Sequence, residues 1–161
     1  MSHARHHPGS CPPAGSERKR GDENQALGRS QGGLTTKIHM LADAFGRPLR
    51  FMLTGGQVHD IVTAPMLLEG IQGTAVVADK AYDSNGLRQI IADAGMRAII
   101  PSKRSRKVQI PHDAVLYKTR NRIERCFNKL KHFRRFATRF DRRVLHFLAF
   151  IHLAAAMLWM H

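Results

Sequence analysis

Residues Thr74–Asp79 read TAVVAD: small and β-branched side chains in a run, ending on a carboxylate. A run this short and this apolar, set off by Gly73, reads as a strand buried in the middle of a sheet. An acid at the carboxyl end of such a strand stands where open α/β sheets place their active sites. Downstream, Ser84 is placed to cap a helix over Asn85–Ala94, with Leu87, Ile90 and Ile91 inward and Gly95 as its stop. Ala98–Ile100 is a second buried strand. Strand, helix and strand in that order make a crossover between parallel strands, so the class is α/β.

Upstream the pattern changes. Leu34–Asp43 alternates apolar Leu34, Ile38 and Met40 (with Thr36) against Thr35, Lys37 and His39, the mark of a half-buried strand. Ala44–Pro48 is a turn and Leu49–Thr54 a second strand, which together form an antiparallel hairpin. Gly55-Gly56 ends it. Asp60 is expected to cap the next helix, Pro65 limits where its regular part begins, and Leu67, Leu68 and Ile71 are its core contacts. Gly28–Gly33, GRSQGG, reads as a loop; it lacks the GK[ST] of a nucleotide cradle, so that function is excluded. Residues 1–27 show no apolar period and are expected to be unstructured, with no strand before Gly28. They carry His3, His6, His7 and the basic cluster Arg18, Lys19, Arg20. The whole order predicts a mixed sheet, a hairpin beside parallel strands, with helices packed on it.

The last third is basic. Pro101–Pro111 carries Lys103, Arg104, Arg106 and Lys107, a loop suited to phosphates. Then comes Tyr117–Lys131, YKTRNRIERCFNKLK, read as one helix. At 100° per residue, Tyr117, Arg120, Glu124 and Lys131 fall within an arc of roughly 60°. Leu116, Ile123, Cys126, Phe127, Leu130 and Phe133 fill the adjoining arc and must face a core. Lys118, Arg122, Arg125 and Lys129 take the opposite side. Glu124 therefore stands at a core edge with cations on both sides along the helix. That is a common charge-paired surface arrangement, and equally one that holds a metal ion beside a phosphate backbone. FRRFATRFDRR follows as a basic turn, with Asp141 expected to cap the final helix. That helix, Val144–Met160, is apolar but for His146 and His152; it is short for a membrane span and reads as buried.

The chain has 161 residues, 26 Lys+Arg against 12 Asp+Glu, and a formal charge of +14, which calls for a polyanionic partner, nucleic acid first. Cys11 and Cys126 form neither a disulfide framework nor a zinc spacing. The polar start is no secretory signal.

Tyr117-x2-Arg120-x3-Glu124-x6-Lys131 resembles the signature around the last acidic residue of one large group of bacterial insertion-sequence transposases of the DDE class. The likeness runs from about Gly28 to Trp159, through GRSQGGLTTKIHMLAD, GRPLRFMLTGGQVHD, VVADKAYDS and FRRFATRFDRR. It implies a ribonuclease-H-like catalytic domain over residues 28–161 with its first strand missing, following an unstructured segment over 1–27. It implies that Asp79 is the second catalytic acid and Glu124 the third, both binding Mg²⁺ (or Mn²⁺), with Asp83 a weaker candidate. Tyr117, Arg120 and Lys131 would orient the site and contact the DNA backbone, helped by Arg104, Arg106 and Lys107 of the basic loop. Partners implied are double-stranded DNA (transposon ends and target), a further copy of the chain on that DNA, and an upstream transposase portion. No membrane is implied, and the place of action is the bacterial cytoplasm at the nucleoid. In relatives the first catalytic Asp precedes a stretch like Ser2–His6, so this chain is expected to act as a C-terminal part, inactive alone. A basic DNA-binding remnant without chemistry is the alternative; a membrane-associated basic protein is the third reading.

Overall fold

The structure, a computed structural model, describes residues 2–6, 26–30, 33–139, 141 and 143–160. Its hub is one long strand. Strand β1 (Ser2–His6), β2 (Gly28–Ser30), β3 (Gly33–Ala42) and β4 (Pro48–Gly55) form a four-stranded antiparallel sheet in which β3 pairs with all the others. The hairpin β3–β4 is in the expected place, with Ile38 opposite Leu53 and Met40 opposite Phe51. Gly46, at φ +83°, makes its turn.

Two expectations are corrected at once. Ser2–His6 is a strand, paired residue for residue from Ser2 opposite Met40 to His6 opposite Thr36, so a strand does precede Gly28. Gly28–Ser30 is a strand rather than loop, in register from Thr35 to Gly33. Backbone pairing, not an apolar side-chain period, makes both strands, and so the composition held no sign of them. The Arg18–Arg20 cluster and His7 lie outside the described residues.

A third correction follows from the hub position. β3 is not half-buried: Thr35, Thr36, Lys37, Ile38, His39 and Met40 are all buried. One face, through Ile38 and Met40, packs with Phe51 of β4. The same cluster takes in Ile123, Cys126, Phe127 and Leu130 from helix α4 (Asn121–Lys131) and Phe147, Ile151, Ala154 and Ala155 from α6 (Val144–Trp159). Leu41 joins a second cluster with Ala64, Leu67 and Leu68 of α1 (Asp60–Leu68), and with Val76, Ala78, Tyr82, Leu87 and Ile91. The polar residues of β3 are reconciled with burial by partners. The Lys37 ammonium donates to the Val58 carbonyl (2.6 Å) and to Asp60 Oδ1 (3.1 Å), and His39 Nε2 meets Thr54 Oγ1 at 2.8 Å. Asp60 is therefore not the helix cap. His59 holds that place, with no side-chain cap, and the Asp60 carboxylate neutralises a buried lysine.

β5 (Ala75–Val77) pairs in parallel with β6 (Arg97–Ile99), and α2 (Asn85–Asp93) makes the crossover between them. The Ser84 hydroxyl accepts from the Leu87 N–H at 3.1 Å, as a cap should. Leu87 and Ile91 point in; Ile90, 40% exposed, does not. The fold is mixed α/β, but the described ladders form two sheets rather than one. The parallel pair joins the hub through the shared cluster of Leu41, Val76 and Ala78, not through backbone bonds.

The C-terminal third is helical: α3 (Ala114–Tyr117), α4, α5 (Arg134–Ala137) and α6. Asp141 does not cap α6; Arg143 is the residue before it, and the Asp141 carboxylate lies 4.0 Å from Arg135. α6 is buried along Phe147, Ile151, Ala154 and Ala155 only, and exposes Leu145, Leu153 and Met157. No helix among the described residues is long and apolar enough to cross a membrane. Leu130 shows where the α4 seat is tightest, since it is fully buried between β3 and α6. Leu130→Ala is expected to cost about 2–5 kcal/mol and to lower Tm by on the order of 10 °C. A thermal melt followed by circular dichroism checks it, and a shift of only a degree or two would mean that α4 is not seated as described.

Candidate active site

Asp79 comes two residues after the end of β5. Ala78 still pairs, its N–H donating to the Ile99 carbonyl at 3.2 Å, and Asp79 then leaves the strand. It caps a single 3₁₀ turn, Lys80–Tyr82: Asp79 Oδ1 accepts from the Lys80 N–H at 2.6 Å. One carboxylate oxygen is thus held by the backbone. The other faces the helical segment 114–131.

That segment is not the single α-helix expected. Asp113 caps α3 by accepting from the Val115 and Leu116 N–H groups, both at 2.9 Å. A 3₁₀ turn, Lys118–Arg120, then leads into α4 with helical backbone at Tyr117, Lys118, Arg120 and Asn121. The path is right-handed throughout and merely tightened for one turn. Four residues of its apolar arc, Ile123, Cys126, Phe127 and Leu130, are buried; Phe133 is partly buried against the same cluster, and Leu116, on α3, is only half-buried and outside both core clusters.

The polar stripe meets the strand end. Arg120 Nη1 lies 3.0 Å from Glu124 Oε1 and 3.9 Å from Asp79 Oδ2. Two acids 45 residues apart in the chain therefore share one guanidinium nitrogen. That bounds their nearest oxygens at about 7 Å, a span compatible with ligands around metal ions about 4 Å apart. The Arg120 guanidinium also sits 5.6 Å from the Tyr117 ring centroid. Burial raises the Tyr117 hydroxyl pKa; Arg120 pulls it back down, and Asp79 and Glu124 both push it up. Both carboxylates thus act on the same ring. Lys131 is exposed at the far end of α4, about 10 Å along the axis from Glu124. The fold gathers Asp79, Tyr117, Arg120 and Glu124 and leaves Lys131 down the helix.

The donor set fits a hard divalent cation. It consists of carboxylate oxygens, partly exposed at 36% and 45% of their side-chain surface. No third His, Cys, Asp or Glu joins them among the described residues. Such an ion would keep positions for water and phosphate oxygen, as Mg²⁺ prefers.

Asp83, four residues on, has a different task. Its side chain is 1% exposed and accepts four hydrogen bonds. They come from Arg88 Nε (2.9 Å), Arg106 Nε (2.9 Å) and Nη2 (3.1 Å), and the Lys103 N–H (2.9 Å). Burial would raise its pKa, but the bonds from Arg106, Lys103 and Arg88 outweigh that and hold it at about 2. Asp83 ties the basic loop to α2. Of the loop cations, Arg106 is tied to this carboxylate along one edge, while Arg104 and Lys107 are exposed. Sequence reasoning undervalued Asp83; the signal available was a second acid beside a helix start with several arginines in reach downstream.

Comparison with known proteins gives the family. The family model described as "Transposase DDE domain" matches residues 4–159. A protein of Brucella ovis assigned as the transposase for insertion sequence element IS6501 is 42% identical over 130 residues, covering 79% of this chain and 99% of that protein. One of Burkholderia cepacia, assigned likewise for element IS402, is 33% identical over 135 residues, with 76% and 62% covered. The transposase for element IS1106 of Neisseria meningitidis serogroup B is 34% identical over 100 residues, with 58% and 35% covered. The chain thus spans nearly all of the first but under two thirds of the other two. No solved structure matches it. On the extent of that match, residues 4–159, the chain belongs to the DDE-domain transposases.

Proposed function

We propose that the chain takes part in DNA transposition by cleaving and joining strands at the ends of an insertion sequence, with Asp79 and Glu124 holding divalent metal, Mg²⁺ or Mn²⁺. The observation that carries this reading is the convergence of both carboxylates on Arg120. When bound, the metal supplies Lewis-acid stabilisation of the charge that develops on the attacking and leaving oxygens. The residues do the rest. The Lys80 N–H fixes one Asp79 oxygen and so aims the other outward. Arg120 balances the two negative charges when they stand alone, and can turn toward a phosphate when a cation takes its place. Tyr117 supports Arg120 from beneath. Lys131, Arg104 and Lys107 are exposed and suited to backbone phosphates on either side of the reacting one.

On this reading the domain is ribonuclease-H-like and takes in Ser2–His6 as well as residues 28–161. A third carboxylate would come from outside the described residues, on an upstream transposase portion. The chain works as an oligomer on double-stranded DNA at the bacterial nucleoid, and by itself it is inactive. The test is a plasmid carrying the cognate terminal repeats, incubated with the chain, with and without the upstream portion, in Mg²⁺ or EDTA. Cleavage is expected only with both the upstream portion and metal. Vigorous cutting by the chain alone would refute the dependence on a supplied ligand. Salt-sensitive binding with no metal-dependent turnover in any combination would favour the non-catalytic remnant.

A further inference from the structure

We propose that the cavity between the basic loop and the start of α2 is a seat for a DNA backbone phosphate; this rests on the reading of the chain as one that handles DNA. This cavity is a shallow depression open to solvent, about 260 Å³, lined by Asp83, Asn85, Lys103, Ser105 and Arg106. Its floor is the Asp83 carboxylate, already satisfied by four hydrogen bonds from Arg88, Arg106 and Lys103. The donors above it are not. Among the described residues, the Lys103 ammonium, the Nη1 edge of Arg106, the Ser105 hydroxyl and the Asn85 amide have no hydrogen-bond partner. One carboxylate faces two lining cations there, Lys103 and Arg106, and is also held by Arg88, so the cavity carries surplus positive charge and surplus donors. A group with several acceptor oxygens and negative charge satisfies both.

The walls are already set. Ser102 Oγ accepts from the Ile110 N–H (2.9 Å), and Gln109 Nε2 donates to the Lys103 and Arg106 carbonyls (3.2 and 2.9 Å). The loop is closed on itself and pinned to Asp83, so little order is lost when an anion enters. Asn85 opens α2, whose positive end favours the same charge. The place also suits the substrate. β5 and β6 run parallel, so the loop after β6 and Asp79 after β5 emerge at one edge of that sheet. A duplex crossing Asp79 and Glu124 would carry its backbone past this cavity.

Lys103 and Lys129, the latter exposed on the side of α4 away from the Glu124 stripe, separate the seat from general basic charge, since each variant loses one cation but only Lys103 lines the cavity. The experiment is fluorescence anisotropy of a labelled duplex with the full chain in EDTA, over a range of salt. Lys103→Ala is expected to lower the slope of log K against log salt by about one and to weaken binding about tenfold at about 0.1 M salt. Lys129→Ala should have less than half of either effect, and Lys103→Arg should restore most of the loss. Equal effects of the two alanine variants, or none, would overturn the proposal. So would tight calorimetric binding of inorganic phosphate with DNA affinity unmoved by Lys103→Ala, which would mark a free-anion site. Failure here with DNA binding intact leaves the cleavage reading standing. Loss of that reading, with the Lys103 effect intact, leaves this seat standing. A wild-type chain that binds no DNA removes both.

Discussion

Glu124→Gln and Asp79→Asn are each expected to lower metal-dependent strand cleavage by about three orders of magnitude, the upstream portion being supplied. Each change keeps the shape of the side chain and removes one negative charge. The amide oxygen introduced by Glu124→Gln could still accept a hydrogen bond from Arg120, so the helix stripe stays in place. On the proposed reading, what is lost is a ligand for the cation, and with it roughly 4 kcal/mol of transition-state stabilisation. Duplex affinity should stay within about threefold, because neither acid is a phosphate contact. Calorimetric titration with Mn²⁺ should show weaker binding in both variants, a readout independent of turnover. Full cleavage by Glu124→Gln would remove Glu124 from the site. A large loss of DNA binding by both would instead point to a damaged fold.

The second large effect concerns stability. Asp83→Asn should destabilise the chain by about 2–4 kcal/mol, because two largely covered arginines would be left beside a neutral amide. The pH dependence has a definite sign. The folded pKa of about 2 lies below the ordinary value of 3.8, so the charge stabilises the fold above about pH 4. That contribution, on the order of 2 kcal/mol, fades as pH falls from about 4 toward 2. Melts of the wild-type chain should therefore lose more stability over that window than melts of Asp83→Asn, which starts lower and changes less. Parallel curves would mean that the four hydrogen bonds to Asp83 do not persist in solution. Loosening of the basic loop should accompany the loss, seen as faster amide exchange at Lys103.

Much of this was legible in the residues because the information is local. Within TAVVAD, Ala75–Val77 is a strand, as its branched side chains suggest, but its described ladder pairs it with β6 alone and only Val76 in it is buried, so it is not the central strand expected; Ser84 and Gly95 mark the ends of α2 by their own backbone chemistry. The stripe of Tyr117, Arg120 and Glu124 follows from the helical period, and it survived one tightened turn. The misses share a cause. Alternation in Leu34–Asp43 shows that two faces differ, but not that both are covered; Lys37 and His39 are buried because α1 and Thr54 supply their partners. Ser2–His6 has no apolar pattern, yet it is a strand because β3 offers it a free edge.

The linear chain determined the α/β class, the strand just before Asp79, the helix that carries Glu124 and the surplus of positive charge. Each depends on side chains within a few positions of one another. Only the tertiary structure decided that Asp79 meets Glu124 across Arg120, while Asp83, only four residues away, is sealed under Arg88 and Arg106. Which carboxylate faces solvent and which faces a guanidinium in the interior depends on contacts between segments far apart in the chain, and a pattern of neighbours carries no record of those.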